Sequence, residues 1–401
     1  MSTTPIVNEA LPLPRRWGAA ELARLTDMVG QSSLFYWKGP QTDALLAEFR
    51  KHHALAHAFP CSSGSAALHI AVAALRLQPG DEVIVPAITD MGSVIGILYQ
   101  QGVPVFADLE PHTYNLDPAD VRRRITPKTR AIMAVHLAGN PCDMAALTAL
   151  AREHQVALIE DCAQAWGARW QGQPVGLQGD LACFSFNEFK HVSCGDGGIV
   201  ATNDARLGPG LAKWGDKYYD RVAGGRDPEE LAPNYRISEP QAAVAAAQLT
   251  KLAEITSARV RVGRQLTAGL TGTPGLQLPA VRTGDTHSYW FYLLRLEPGR
   301  FRGTRDDFAA ALAAEGVACT PGYIPRPVYQ YPVFQNHNFF GGRWPVRDSG
   351  LTVMDYRAVS CPVAGAILQD GVKLTVNEAM TEPYVAQVVS AIRQVAQRLA
   401  Q

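Results

Sequence analysis

Apolar and polar positions alternate along this chain in short blocks, and the block lengths separate two kinds of element. From Ala20 to Val29, and again from Thr42 through Leu45, Leu46, Phe49 and His53, apolar residues recur three and four apart, which predicts helices. The turn Lys38-Gly39-Pro40 divides them. Short, mostly apolar runs follow: Ala54 to Phe59, Val83 to Pro86, Val103 to Phe106, Ala131 to Val135 and Val156 to Ile159. They predict strands buried on both faces. Between them the helical pattern returns over Ala66 to Leu77, in a helix capped by Thr89 or Asp90 that runs through Gln101, over Pro118 to Ile125 and over Met144 to His154. Strand and helix in alternation predict an α/β fold with a mostly parallel sheet covered by helices. Such sheets take ligands beyond the carboxyl ends of their strands, where Cys61 to Ser65, Thr89, His136 and Asp161 fall.

The pattern changes in the last third. A helix from Glu239 to Leu252, continuing through Arg264, gives way to Thr271-Gly-Thr-Pro-Gly275, which reads as a boundary. Beyond it come an aromatic strand, His287 to Leu296, a helix, Thr304 to Glu315, a stretch rich in Pro and Tyr from Cys319 to Phe334, a loop at Gly341-Gly342, and a closing helix capped by Thr381. The expected organisation is an N-terminal arm (1–41) that packs with the smaller domain, a large α/β domain (42–270) and a smaller α+β domain (271–401). A chain of 401 residues is too long for one ordinary core and long enough for two.

Composition narrows the function classes. Lys plus Arg number 37 and Asp plus Glu also 37, so no charge excess points to nucleic acid or an anionic membrane. The seven cysteines are odd in number, scattered, and free of any C-x-x-C pair; they read as buried apolar residues of a reducing compartment, with no disulfide frame and no metal site. Met1 to Arg16 has no apolar core long enough for a signal peptide or membrane span, and a cytoplasmic location is expected.

The candidate chemistry gathers on a few residues. Lys190 lies between an apolar strand and the cluster Gly195-Asp-Gly-Gly198. A desolvated amine loses its proton and attacks an aldehyde, whereas an exposed one stays protonated and inert, so Lys190 is either a Schiff-base lysine or a surface lysine beside a turn. Ser63, Gly64 and Ser65 open an alanine-rich helix whose unpaired N–H groups could cradle a phosphate; the plain alternative is a serine cap with no ligand. Asp161 at a strand end is suited to hold the proton of a pyridine nitrogen, which turns such a ring into an electron sink, or else it caps the next turn. Gln164, three residues on, is placed to bond a ring hydroxyl or that carboxylate.

Six motifs then occur in one order: Ser63-Gly-Ser65, His136-Leu-Ala-Gly-Asn-Pro-Cys-Asp143, Glu160-Asp-Cys-Ala-Gln164, Phe184-Ser-Phe-Asn-Glu-Phe-Lys190, Gly195-Asp-Gly-Gly198 and Asn234-Tyr-Arg-Ile-Ser-Glu-Pro-Gln-Ala-Ala243. In this the chain resembles the DegT/DnrJ/StrS family of fold-type I pyridoxal-phosphate enzymes, over most of its length. The resemblance implies that Lys190 bonds the aldehyde of pyridoxal 5′-phosphate, that Asp161 pairs with its ring nitrogen, that Gln164 packs near the ring, and that Gly64, Ser65 and Ser185 hold its phosphate. It further implies a homodimer in which Asn234 reaches the phosphate of the other subunit, although spacing alone makes Asn234 a loop residue ahead of a helix. The loop near Arg221 to Arg226 and the stretch 319–334 would close over the sugar part of a substrate, with His287 and Tyr323 as the nominated edge contacts.

One position departs from the family, which usually sets an aromatic or histidine ring after the threonine in the stretch that here reads Pro86-Ala-Ile-Thr-Asp-Met91. Asp90 cannot offer a flat apolar face. Either the helix has shifted and another residue covers the ring, or Met91 supplies the contact, or Asp90 is an N-cap or meets a polar substrate; the N-cap is the preferred reading. The expected function is transfer of an amino group from glutamate or glutamine to a keto sugar nucleotide or related keto-cyclitol in amino-sugar, polysaccharide or antibiotic biosynthesis. The alternatives are a relative with the same cofactor and a different outcome, a sugar dehydratase or an aminated aromatic acid synthase, and, more distantly, a non-catalytic regulatory protein that keeps the fold.

Overall fold

In the computed structural model, which describes residues 5–401, seven strands form one twisted sheet and four form a second. The large sheet begins with β1 (His57–Cys61), β2 (Glu82–Pro86), β3 (Val103–Ala107), β4 (Thr129–Val135) and β5 (Ala157–Asp161). A two-stranded ribbon, β6 (Arg169–Trp170) and β7 (Gln173–Pro174), intervenes before β8 (Leu181–Ser185) and β9 (Gly198–Thr202) complete it. The spatial order is β1-β9-β8-β5-β4-β2-β3. β3, β2, β4, β5 and β8 pair in parallel; β9 runs antiparallel to both its neighbours, β8 and β1, so β1 points the same way as the parallel set.

Alternate residues explain why the strands read as unbroken apolar runs. Val83, Val85, Met133 and Ile159 join a core on one face, and Ile84, Ile132, Ala134 and Leu158 join another on the opposite face, beneath the helix Met144–His154. Strand limits follow pairing more than composition. β1 starts at His57, three residues after the apolar run does, because its partners on β9 run only from Thr202 to Gly198 and Ala56 donates instead to the side chain of Asn203. The expected long helix after Glu239 is two, Glu239–Leu249 and Leu252–Leu270, broken at Thr250-Lys251. The aromatic strand likewise begins late: Tyr289 has φ 47°, and Ser288 and Trp290 donate to Gly139 and Ala138 before strand pairing starts at Phe291.

The second sheet holds β10 (Leu276–Gln277), β11 (Phe291–Leu296), β12 (Cys319–Pro321) and β13 (Gly371–Thr375) in the order β10-β11-β13-β12, all antiparallel. Helices Arg305–Ala314 and Glu382–Leu399 cover it, the latter capped by the Thr381 hydroxyl, which accepts from the amide of Tyr384. Between β12 and β13 the chain returns to the large sheet: Val328, Phe334, Trp344, Tyr356 and Ile367 belong to the same apolar cluster as β2 and β4. The arm touches both units. Val7 packs among the residues of the second sheet, while Glu21 on the helix Ala19–Val29 accepts from Gln248 and Lys251. Among the described residues, no helix is long and apolar enough to cross a membrane.

Candidate functional site

β1 ends at Cys61 and turns into the helix Gly64–Ala74. Ser63 has extended backbone and its hydroxyl accepts from the amide of Ala66, while the amides of Gly64 and Ser65 take no partner among the described residues. Glycine is required here by close approach: a Cβ on Gly64 would stand 2.6 Å from the Cβ of Ser185, and one on Gly198 only 2.3 Å from the carbonyl oxygen of Ser63. The sequence cluster of serines and glycines is thus one packed junction between the helix start and the β8–β9 hairpin.

That hairpin carries Lys190. Its loop closes through hydrogen bonds from Phe186 to Gly197 and from Cys194 to Phe186, and Arg16 of the arm donates to the carbonyls of Glu188 and Lys190. The Lys190 amine lies over the face of Trp290, 3.8 Å from the ring centroid. Trp290 is fixed in turn by its indole N–H, which donates to the carbonyl of Phe189. Burial pushes the Lys190 ammonium below its ordinary range, against the opposing pull of Asp161 and Asp90.

Asp161 closes β5 and is buried. Its Oδ1 accepts from the amide of Ala163 and its Oδ2 from the hydroxyl of Ser93 at 2.7 Å; Ser93 accepts in turn from Thr89 at 2.6 Å. Burial pushes the carboxyl up, while the Ser93 hydroxyl, the Ala163 amide and Lys190 work against it. Gln164 is held at both ends, Oε1 accepting from the amide of Ala138 and Nε2 donating to the hydroxyl of Tyr323. Ser63, Gly64, Ser65, Asp90, Ser93, Asp161, Gln164, Ser185 and Lys190 line one cavity of about 190 Å³ at the carboxyl ends of β1, β2, β5 and β8.

On the other face of β5 lies a group that resembles a metal site by residue type alone: His136, Glu160 and Cys162. Its donors are committed to protein. His136 Nδ1 accepts from the amide of Cys142, and Nε2 donates to Glu160 at 3.0 Å, an arrangement that a neutral ring satisfies. Glu160 also accepts from the amides of Gly176, Gln178 and Gly179. Burial alone would raise the Glu160 carboxyl; His136 and these amides overcome it and hold it below the usual carboxylate range.

Not every nominated residue reaches the cavity. His287 does not: its Nδ1 accepts from the amide of Tyr289, its ring stacks on Tyr289 at 3.9 Å, and burial lowers its pKa to about 3. Tyr289, between His287 and Trp290, has left-handed backbone (φ 47°). Asn234 is exposed, bridges to Asp216, and does not line the cavity of its own chain. Arg221 is tied to the buried Asp216 at 2.6 Å, and Val222 beside it is exposed. Asp90 reaches the cavity but is not the cap of the helix Gly92–Tyr99. Met91 occupies that position, and Asp90 Oδ1 instead accepts from the amide of Gly92, two residues on. Ser93, Asn187, Asp196 and Trp290 were beyond sequence reasoning. Ser93 sits in an otherwise apolar helix, and Trp290 falls in an aromatic run that reads as core.

An amine with weakened proton affinity, a buried carboxylate with spare acceptor capacity, and a helix start with open amides therefore share one cavity. These groups suit a ligand that joins a phosphate, an electrophilic carbon and a basic ring nitrogen.

Comparison with known proteins gives the same direction. The DegT/DnrJ/EryC1/StrS aminotransferase family matches residues 17–393. Among curated proteins, the chain is 34% identical over 362 residues to a UDP-N-acetyl-3-dehydro-alpha-D-glucosamine 3-aminotransferase of Acidithiobacillus ferrooxidans, covering 88% of each chain. Among solved structures it is similar to S. venezuelae DesV in complex with a ketimine intermediate (TM-score 0.82, 30% identity, 94% of this chain and 95% of that one). It is also similar to 3-amino-5-hydroxybenzoic acid synthase (TM-score 0.86, 28% identity, 97% of this chain and 100% of that one).

Proposed function

The chain belongs to the DegT/DnrJ/EryC1/StrS aminotransferase family, a fold-type I group, and from that premise we propose that it uses pyridoxal 5′-phosphate to move an amino group from glutamate or glutamine to a keto sugar nucleotide or related keto-cyclitol. The observation that carries this reading is the meeting of Lys190, Asp161 and the open start of the helix Gly64–Ala74 in one cavity. When bound, the cofactor supplies an aldehyde to carry the amine and a ring to accept the electrons freed when a C–H bond breaks. The amides of Gly64 and Ser65, with the Ser63 and Ser185 hydroxyls beside them, hold the phosphate. Asp161, steadied by Ser93 and Ala163, holds the proton of the ring nitrogen. Gln164 keeps its orientation through Ala138 and Tyr323 and packs beside the ring. Lys190 Nζ would be the group that holds the cofactor's aldehyde and, as a free amine, the base that takes and returns the proton at the substrate carbon. Asn234, exposed and outside its own cavity, serves the phosphate held by a second copy in a homodimer.

The test is a two-stage spectrum. Protein loaded with pyridoxal 5′-phosphate loses its visible band on adding glutamate or glutamine and regains it with one member of a panel of keto sugar nucleotides and keto-cyclitols. A band that no amino donor alters ends the reading. The likeness to 3-amino-5-hydroxybenzoic acid synthase favours a second one, an aminated aromatic acid formed from a cyclic ketone with loss of water. An aromatic ultraviolet product from a cyclic keto acid would select it.

A further inference from the structure

Asp90 and Asp196 are the carboxylates lining this cavity that the proposed chemistry leaves unused, and Asp196 Oδ1 already accepts from the Asn187 side-chain amide at 3.1 Å. Asp90 stands at the carboxyl end of β2, in the segment that turns into the helix Gly92–Tyr99. Oδ1 is held by the amide of Gly92 at 2.8 Å, and a Cβ on Gly92 would stand 3.0 Å from Asp90 Oδ1 and 2.6 Å from Ser65 Oγ, so both side chains lie close to this backbone. The local fold therefore fixes the Asp90 carboxylate beside the cradle residue Ser65, and it lines the same cavity as Lys190 and Asp161. Among the described residues no hydrogen bond or salt bridge to another side chain occupies Asp90, an exposed residue that also lines the cavity, so its charge is free to act on the groups there.

The groups that face it come from three directions. Across the cavity are Lys190, on the β8–β9 loop, and Asp161, at the end of β5; Asp90 acts on both, favouring the charged lysine and opposing the second carboxylate. From the segment after β12 come Tyr323 and Tyr331, whose phenols Asp90 helps to keep protonated, with Arg326 acting in the opposite sense on Tyr331. From the start of β11 comes Trp290, which lays its uncharged face on the Lys190 amine. Lys190 thus shares its surroundings with two carboxylates that favour its charged form and an aromatic face, while burial favours the neutral amine. Asp161 cannot give its charge to Lys190 and to a ring nitrogen at once. Of the carboxylates that line the cavity, Asp90 is the one with no side-chain partner among the described residues.

We propose that Asp90 is a second carboxylate of the reaction centre, a positioning residue whose charge holds the proton on the Lys190 nitrogen while Asp161 is engaged with the cofactor ring. This rests on the cofactor reading above and extends it to a residue that sequence reasoning had divided between a helix cap and a substrate contact. A proton kept on that nitrogen makes the carbon bonded to it more electrophilic, so the incoming donor amine, which must arrive neutral, meets an activated partner at physiological pH. The negative charge at the cavity mouth also favours keto substrates that present hydroxyl or ammonium donors over those that present a carboxylate.

The experiment follows the visible band of the adduct between Lys190 and pyridoxal 5′-phosphate as a function of pH, with no substrate present, in wild type, Asp90→Asn and Asp90→Ser. Asparagine keeps the shape and serine keeps a short acceptor for the Gly92 amide, and neither carries charge. Both variants are expected to give up the proton at a pH about half a unit to one unit lower than wild type, and both shifts shrink in high salt. Titrations that coincide with wild type, a rise, or a shift in only one neutral variant would overturn the role of Asp90 and leave the cofactor reading standing. A wild-type protein that develops no visible band with pyridoxal 5′-phosphate would overturn both.

Discussion

Glu160 and Asp161 are consecutive carboxylates at the end of β5, both almost wholly buried, and pleating sends them to opposite faces of the sheet. Glu160 takes hydrogen bonds from three amides and an imidazole, which fill the acceptor capacity of a carboxylate. Asp161 takes two, one on each oxygen, and its remaining capacity opens on the cavity. Burial raises both; only Glu160 has donors enough from its own chain to be pulled back below the usual range. The difference teaches how to tell a structural buried charge from a functional one: the first is satisfied from within, and the second is left short for a ligand.

The largest effect expected on the open side is that of Lys190→Ala, which should reduce turnover by about 10⁴-fold or more and abolish the visible band with pyridoxal 5′-phosphate while circular dichroism stays native. Next comes the exchange that tests the comparison itself. Glu160→Gln leaves His136 and three amides facing a weaker acceptor and should lower unfolding free energy by about 3–5 kcal/mol in urea titrations. Asp161→Asn should leave the stability of the cofactor-free protein equal or higher and reduce turnover by about 10²- to 10³-fold. Equal loss of stability in both variants would erase the distinction.

The pH dependence separates the two by sign. The pKa of Glu160 is lowered by folding from its ordinary 4.5, so its stabilising contribution is present above that value and is lost as pH falls through the lower folded value. The pKa of Asp161 is raised from 3.8, so protonation stabilises the folded form as pH falls through the raised value, and the ionised form costs stability above it. Asp161→Asn should therefore gain on wild type as pH rises from about 4 toward neutrality in the absence of cofactor, and urea midpoints across that range check it. The smallest effect is that of Ser93→Ala, which removes one hydroxyl from Asp161 and should weaken cofactor binding by roughly tenfold, about 1–2 kcal/mol, without altering the fold.

Much of this was legible in sequence because it depends on local pattern. The unbroken apolar runs identify a sheet covered on both faces, and the strand ends bring Cys61 to Ser65, Thr89, His136 and Asp161 to one edge, whereas Lys190 is marked by the motif around it. What escaped depends on contacts between distant segments. Ser93 looks like one polar residue in an apolar helix until β5 brings Asp161 beside it, 68 positions on. Trp290 and His287 sit three apart in one aromatic run that carries a left-handed residue at Tyr289, yet the tryptophan meets Lys190 while the histidine stacks on Tyr289 in the interior. The same holds for the segment from Val328 to Leu368, which follows the boundary at Thr271 in sequence yet shares a core with the large sheet. No periodicity records which of two cores an apolar residue will join.

The strand order has a consequence for how the protein is made. β1 has one neighbour in the sheet, β9, and roughly 140 residues separate them in the chain. At ribosomal speed the strand that leads into Ser63, Gly64 and Ser65 emerges on the order of ten seconds before the strand that it pairs with. Throughout that interval β1 has no strand to pair with, and the helix Gly64–Ala74 lacks the β8–β9 hairpin that packs on its first turn. The helix start that contributes Ser63, Gly64 and Ser65 to the cavity is thus completed only when the hairpin carrying Lys190 has been made.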